Sequence, residues 1–92
     1  MQEIVLTIEH DEGLHARPAQ LFVRTAQKFK SDIFIECHQK RANAKSVLSI
    51  LTLGVNKGTK IKVLAKGEDA GQSLQALAAL VACNFSTEDS GI

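Results

Sequence analysis

Two hydrophobic periodicities alternate along this chain, and their order restricts its fold more than any other feature. Residues 2–8, 32–37 and 60–66 alternate apolar with polar side chains, as half-buried strands do. Residues 16–28 and 70–83 instead place apolar side chains on one helical stripe each. The first predicted stripe is Ala19, Phe22, Val23 and Ala26; the second is Ala70, Leu74, Leu77, Ala78 and Val81.

Two shorter segments complete the predicted order of elements. Residues 40–43 predict a short strand, and residues 46–51 predict a short helix that ends before Gly54. The order is therefore βαββαβα. Because each strand has one apolar face to bury, we predict an α+β fold. It is a two-layer open-faced sandwich in which three helices cover one face of a four-stranded antiparallel sheet.

Two local patterns predict how particular elements are joined. His38-Gln39 connects the second and third strands, and a type I′ turn there requires positive φ at both residues. Because glutamine tolerates positive φ poorly, we expect a distorted or wider turn. The pattern Asp69-x-x-Gln72 is a variant of the capping box and predicts the start of the last helix.

Length and composition exclude several classes of protein. Ninety-two residues make one domain, and a net charge of +1 gives no case for a nucleic-acid partner. No apolar run is long enough for direct membrane insertion, and the N-terminus lacks the pattern of a signal peptide. The two cysteines do not have the spacing of metal ligands. We therefore predict a cytoplasmic protein without a metal site.

Residues 13–19, Gly-Leu-His-Ala-Arg-Pro-Ala, place His15 at the start of the first predicted helix. The first-turn N–H groups and the positive end of the helix dipole attract anions, and Pro18 fits that turn because it has no N–H to leave unpaired. The planar guanidinium of Arg17 suits phosphate oxygens, and a neutral imidazole nitrogen is a nucleophile. The segment predicts a histidine that accepts a phosphoryl group. The alternatives are an inert cap for His15 and a solvated charge for Arg17.

This segment resembles that of the HPr family, the small phosphocarriers of the bacterial phosphoenolpyruvate-dependent sugar phosphotransferase system. The resemblance continues at constant spacing from about residue 3 to residue 83. It passes through Phe22-Val23, Lys45-Ser46, Thr52-Leu53-Gly54, Lys57-Gly58-Thr59 and Gly67-Glu68-Asp69. It implies a sheet with strand order 1-4-2-3 in an HPr-like domain over residues 1–83. Residues 84–92 are then a polar tail, frayed or leading into a linker.

The resemblance also implies roles for the residues of the segment. His15 accepts the phosphoryl group through Nδ1 from phospho-Enzyme I and passes it to sugar-specific IIA domains. Arg17 is its catalytic partner, and His15, Ala16 and Arg17 bind the phosphate. Such a protein is a stoichiometric, monomeric carrier rather than an enzyme, and it needs no cofactor. We interpret the other two histidines, His10 and His38, as solvated loop residues.

Ser46 has two interpretations, because it lies at the start of the short helix. It is either a plain N-cap or a regulatory phosphorylation site. In low-GC Gram-positive members of the family a dedicated kinase phosphorylates the matching serine. That interpretation adds HPr kinase/phosphorylase and a transcriptional regulator as partners. Around His15 we predict a partner-docking surface made of Gln20, Leu21, Arg24, Val47, Leu48 and Leu51.

Three alternative functions remain from the sequence. The chain could be a regulatory HPr paralogue that signals through Ser46, although known regulators of that type lack the acceptor histidine. It could also be an HPr domain excised from a multidomain phosphotransferase. A small ligand-binding domain would require a pocket with convergent polar groups, and no motif in the sequence predicts one.

Overall fold

The computed structural model describes residues 1–85, and the elements occur in the predicted βαββαβα order. The strands and helices are β1 Gln2–Thr7, α1 Ala16–Ala26, β2 Asp32–Cys37, β3 Lys40–Asn43, α2 Val47–Leu51, β4 Lys60–Lys66 and α3 Ala70–Ala82. The predicted helices over residues 16–28 and 70–83 end slightly early. In α1 the chain leaves the helix after Ala26, where the N–H of Gln27 still donates to the carbonyl of Val23.

The four strands form one antiparallel sheet in the order β1-β4-β2-β3, which confirms the predicted fold. The central strand β4 pairs with β1 on one side and with β2 on the other. One row across the sheet places Ile4 opposite Val63, and Val63 opposite Ile35. Val63 and Ile35 are fully buried because the helices cover this face.

Helix α1 buries the stripe that its periodicity predicts, whereas α3 buries a different set of residues from the predicted one. In α1 the predicted stripe is buried together with Pro18. In α3 the buried residues are Ala70, Ser73, Leu74, Leu77 and Leu80. Ala78 and Val81 are only half-buried, so the prediction was wrong in placing them on the buried stripe. It was also wrong in omitting Ser73 and Leu80, which are buried. The apolar character of α3 extends around most of its circumference, so periodicity alone did not select the correct face.

The turn between β2 and β3 is tighter than predicted. His38 and Gln39 have φ values of 53° and 65°, and Cys37 pairs directly with Lys40. The expectation of a wider turn was therefore wrong. The pairing of the two strands holds Gln39 in a left-handed conformation that glutamine adopts rarely.

Asp69 is the N-cap residue of α3, but its carboxylate does not cap that helix. It accepts hydrogen bonds from the backbone N–H groups of Lys30 and Ser31, both at 2.9 Å, and from the hydroxyl of Ser31. The Ser31 hydroxyl and these N–H groups lower the pKa of the Asp69 carboxyl. The predicted start of the last helix is confirmed, but the capping box is not formed, because the carboxylate instead joins the loop before β2 to the start of α3.

The ordered core extends past the predicted domain boundary at residue 83. The N–H groups of Asn84 and Phe85 donate to the carbonyls of Val81 and Leu80, both at 2.9 Å. Phe85 is only 4% exposed and belongs to the core. The predicted polar tail was therefore wrong for residues 84 and 85, and residues 86–92 lie outside the described residues.

None of the helices described in residues 1–85 has the length and apolar character needed to cross a bilayer. The same part of the chain contains no group of three or more His, Cys, Asp or Glu side chains placed to hold a metal ion.

Candidate functional site

The N-terminus of α1 presents His15 with its side chain uncommitted. His15 is the N-cap residue, with extended backbone (φ −121°, ψ 161°), and its side chain makes no capping hydrogen bond. The imidazole is half-buried, and no acidic residue lies in the first turn of the helix. The structure therefore places a nucleophilic side chain at the positive end of an 11-residue helix.

The first turn of α1 has donors that no part of the described chain satisfies. The N–H groups of Ala16 and Arg17 have no intrahelical acceptor by position, and neither donates to a loop or cap acceptor in residues 1–85. The Arg17 side chain is exposed, and within the described residues it forms no ion pair or hydrogen bond. An anion beside His15 could therefore bind two backbone donors and a guanidinium without displacing an existing partner.

Ala16 has an unusual backbone conformation for a residue with a side chain. Its φ is 45°, in the left-handed region, where a non-glycine residue costs about 1–3 kcal/mol. Such a conformation persists only when the surrounding structure holds it. The residues immediately before Ala16 must therefore be anchored elsewhere.

That anchor is the loop between α2 and β4. The N–H of Leu14 donates to the carbonyl of Val55 at 3.0 Å, and the Leu14 side chain is fully buried. Gly13 has a φ of 67° and packs so closely that a Cβ would lie 2.2 Å from the Val55 carbonyl oxygen. Glycine is therefore required at position 13 for both its conformation and its contact.

A tight turn over residues 10–13 leads into this anchor. The N–H of Gly13 donates to the carbonyl of His10 at 2.9 Å, and the N–H of Glu12 donates to the imidazole Nδ1 of His10 at 3.1 Å. Lys57 contacts Asp11 at 3.0 Å and thereby lowers the pKa of the Asp11 carboxyl. The interpretation of His10 as a solvated loop residue was therefore wrong, whereas His38 is exposed as predicted.

The start of α2 is built differently from that of α1. Ser46 is the N-cap residue, and its hydroxyl oxygen accepts a hydrogen bond from the N–H of Ser49 at 3.3 Å. The N-cap interpretation of Ser46 is confirmed. The neighbouring Lys45 donates from Nζ to the carbonyl of Phe29 at 2.8 Å, which ties the start of α2 to the chain just beyond α1.

The residues predicted to form the docking surface lie on α1 and α2, which pack against each other. Gln20 and Arg24 are exposed, and Leu48 is 77% exposed. The other three, Leu21, Val47 and Leu51, are half-buried and pack against the core. Leu48 is therefore the residue of this surface with the most apolar area free for a partner.

Two depressions of the surface lie away from His15 and Arg17. These open depressions, of about 500 and 440 Å³, lie beside the end of α3 and on the uncovered face of the sheet. Neither is lined by His15, Ala16 or Arg17.

Comparison with known proteins places the whole described fold in one family. Residues 2–82 match the family model of the PTS HPr component phosphorylation site. The HPr-like protein Crh of Bacillus subtilis (strain 168) is 48% identical over 69 residues, which cover 75% of this chain and 81% of Crh.

Two solved structures from Thermoanaerobacter tengcongensis also superpose on the chain. HPr-C-His is 45% identical with a TM-score of 0.90, covering 92% of this chain and 96% of its own. An HPr dimer is 44% identical with a TM-score of 0.76, covering 94% and 99% respectively. Because the family model matches residues 2–82 of its 92 residues, this chain belongs to the HPr family of the phosphotransferase system.

Proposed function

We propose that this protein is a phosphocarrier that accepts a phosphoryl group on His15 from phospho-Enzyme I and passes it to sugar-specific IIA domains. The observation that carries the proposal is the uncommitted imidazole at the start of α1, beside donors that have no partner in the described residues. The carrier is proposed to be cytoplasmic and monomeric, without a cofactor and without nucleic-acid partners.

The transfer needs a lone pair on Nδ1 of His15. That lone pair attacks the phosphorus atom held on Enzyme I, a phosphorus–nitrogen bond forms on His15, and the bond to Enzyme I breaks with its electron pair returning to Enzyme I. Transfer to a IIA domain repeats these steps with His15 as the leaving group. Such a reaction depends on positioning and charge stabilisation rather than on acid–base groups of the protein.

The start of α1 supplies that charge stabilisation. The N–H groups of Ala16 and Arg17 and the positive end of the helix dipole favour a phosphate dianion next to His15. The guanidinium of Arg17 provides donors in a planar fork that matches phosphate oxygens. In this proposal Arg17 stabilises the charge on the moving phosphoryl group and is the catalytic partner of His15.

The docking surface recruits both classes of partner in turn. Leu48 offers an exposed apolar contact, and Arg24 with Gln20 gives it a polar rim on α1. Interfaces commonly combine an apolar centre with a polar rim. A carrier must leave each partner after transfer, so a small surface of this kind suits it better than an extensive apolar one.

A regulatory role is the second candidate, and one comparison favours it. The 48% identical relative is the HPr-like protein Crh, and Ser46 lies half-buried at the start of α2, directly before Val47 of the docking surface. In this alternative HPr kinase/phosphorylase modifies Ser46, and the phosphoserine form binds a transcriptional regulator. The two functions are compatible in one protein, because they use different side chains.

Incubation with Enzyme I and phosphoenolpyruvate, followed by intact-mass spectrometry, tests the carrier function. The wild-type protein should gain one acid-labile phosphoryl group, and His15→Ala should gain none. His38→Asn is the matched control, because it removes an exposed histidine and asparagine tolerates the positive φ of the hairpin. Phosphorylation of His15→Ala, or its absence in wild type, would contradict the proposal.

The regulatory role requires a separate experiment with HPr kinase/phosphorylase and ATP. An acid-stable phosphoryl group on wild type that is missing from Ser46→Ala would support it. If Enzyme I phosphorylates the wild-type protein and the kinase leaves it unmodified, the carrier function would be supported and the regulatory role contradicted.

A further inference from the structure

The side chain of His10 organises the turn that precedes the acceptor segment. Its Nδ1 accepts the N–H of Glu12, and its carbonyl accepts the N–H of Gly13. Both acceptors of one residue therefore close the same four-residue turn. Asparagine and aspartate side chains do this in Asx turns, where the oxygen accepts from the N–H two residues ahead. Here an imidazole nitrogen takes that place.

A contact from outside the turn sets the position of the His10 ring. The ring of Phe85 meets it edge-on, with ring centroids 5.8 Å apart and an interplanar angle of 85°. Phe85 is buried, and its N–H is bonded to the carbonyl of Leu80 after the end of α3. The imidazole is thus held between its own turn and the core, which explains its half-buried state.

We propose that His10 is a positioning residue for the phosphoryl acceptor: its unprotonated Nδ1 holds the 10–13 turn that sets the approach to His15, and protonation of this nitrogen releases the turn. This inference rests on the proposed function of His15. The hydrogen bond requires the neutral tautomer that carries its proton on Nε2, because a protonated Nδ1 has no lone pair to accept the Glu12 N–H.

The chain between the two histidines carries the effect. Gly13 ends the turn and packs on Val55, and Leu14 bonds to the same carbonyl before the chain reaches His15. Ala16 then adopts its left-handed conformation, which needs restraint from its surroundings. Loss of the His10 bond removes one restraint, so the acceptor segment gains freedom and His15 is less often in its reactive orientation.

The charged groups around His10 are of both signs. Glu9, Asp11 and Glu12 flank it in the chain, and Lys57 faces Asp11 from the loop before β4. The Phe85 ring, which contacts His10 from beyond α3, carries no charge. Whatever the charges around it, a proton on Nδ1 breaks the turn's hydrogen bond, because the protonated nitrogen has no lone pair to accept the Glu12 N–H.

Nuclear magnetic resonance of the unphosphorylated protein tests the turn directly. When the His10 imidazole is neutral, its ¹⁵N shifts should identify an unprotonated Nδ1 and a protonated Nε2. His10→Asn keeps an acceptor for the Glu12 N–H, whereas His10→Phe keeps a ring against Phe85 without an acceptor. The Glu12 amide should exchange with solvent roughly two- to tenfold faster in His10→Phe than in wild type, as expected for one lost hydrogen bond, and His10→Asn should restore its protection.

The pH profile of phosphotransfer tests the link to His15. Initial rates with Enzyme I are measured between about pH 5 and 8, the range in which histidine titrates, for wild type, both His10 variants and His38→Asn as the control. Relative to His10→Asn, wild type should lose rate on the acid side, and His38→Asn should follow wild type. His10→Phe should be slower than His10→Asn across the range, by roughly two- to tenfold, and wild type should approach the rate of His10→Phe at the acid end.

The possible results separate the two proposals. Equal Glu12 exchange in wild type and His10→Phe would overturn the role of His10 in the turn. Faster exchange in His10→Phe, combined with a rate and pH profile equal to those of wild type, would overturn its link to the acceptor. Failure of Enzyme I to phosphorylate wild type would overturn the carrier function and with it the link to the acceptor, while the exchange data would still decide whether His10 holds the turn.

Discussion

The starts of α1 and α2 meet the same requirement in opposite ways. Every helix begins with N–H groups that have no intrahelical acceptor. At α2 the hydroxyl of Ser46 accepts from Ser49, so the helix satisfies one of these groups itself. At α1 the His15 side chain accepts no hydrogen bond from residues 1–85, and the following residue, Ala16, has strained backbone.

This difference separates a helix start that its own side chain caps in the free protein from one that, in the proposed function, a phosphoryl group would cap. A serine at position 15 would cap α1 at no cost in backbone geometry, because the extended φ and ψ of His15 are those of a normal N-cap residue. The chain has an imidazole there instead and forgoes the stability of a cap. In the carrier function the phosphoryl group supplies the missing acceptor during part of each cycle.

His15→Ser should have the largest effect and should change activity and stability in opposite directions. Phosphorylation by Enzyme I should be lost, while the free energy of unfolding should rise by about 0.5–1 kcal/mol because serine can cap the first turn. Intact-mass spectrometry and urea denaturation measure the two quantities. A less stable variant would contradict the idea that the first-turn N–H groups of α1 lack a capping partner when His15 is present.

Arg17→Ala should slow transfer without weakening the fold. Loss of a charge-assisted hydrogen bond to the phosphoryl group is worth about 1.5–3 kcal/mol, which corresponds to a decrease of roughly ten- to hundredfold in the transfer rate constant. Stability should change by less than about 0.5 kcal/mol because the side chain is exposed. Rapid-quench kinetics from phospho-Enzyme I measure the rate constant.

Arg24→Ala is the matched control for that experiment, because Arg24 is an exposed arginine on the same helix but lies in the docking surface. It should raise KM and leave the rate constant of the bound complex unchanged. If the two substitutions lowered that rate constant equally, Arg17 would act only through the positive charge of the surface and not by contacting the phosphoryl group.

Ser46→Ala should have the opposite effects to His15→Ser: it should lower stability and leave phosphotransfer unchanged. Removal of the cap should lower the free energy of unfolding by about 1 kcal/mol, while transfer through His15 should continue at its wild-type rate. Urea denaturation measured beside His15→Ala provides the comparison, because the latter removes no capping bond. If His15→Ala proved as destabilising as Ser46→Ala, the two helix starts would not differ in the proposed way.

Ser46→Asp should have the smallest effect, and that effect should depend on salt. Aspartate is as good an N-cap as serine, so α2 should remain stable. The new charge lies beside the docking surface and should raise KM for transfer from Enzyme I by roughly two- to fivefold at low ionic strength. Added salt should remove the difference because exposed charges are screened. A variant equal to wild type at low salt would place Ser46 away from the docking surface.

Local signals predicted the elements, the positions of His15 and Ser46 at helix starts, and the stripe of α1. Periodicity and capping residues act over a few residues, so they can be recognised in the sequence alone. The sheet order came from the family resemblance, since the residue pattern within a strand does not indicate which other strand pairs with it.

Contacts between distant residues were beyond the reach of such signals. Asp69 has the sequence context of a cap, yet its carboxylate bonds Ser31 across the fold. Phe85 is directly followed by a polar stretch in the sequence, and its burial depends on the position of α3 and of His10. The one usable signal for His10 was its place three residues before Gly13, where an acceptor side chain often closes a turn.

The strand order β1-β4-β2-β3 has a consequence for how the chain folds while the ribosome is still synthesising it. Gln2 pairs with Ala65, so β1 has no partner until about sixty further residues have been synthesised. At bacterial and eukaryotic elongation rates this delay is roughly 3–13 s, far longer than the time in which a short chain collapses. During it only the β2–β3 hairpin can form a native ladder from neighbouring residues. The apolar side chains of β1 therefore spend seconds in an unfinished nascent chain, which is the interval in which chaperones would bind them.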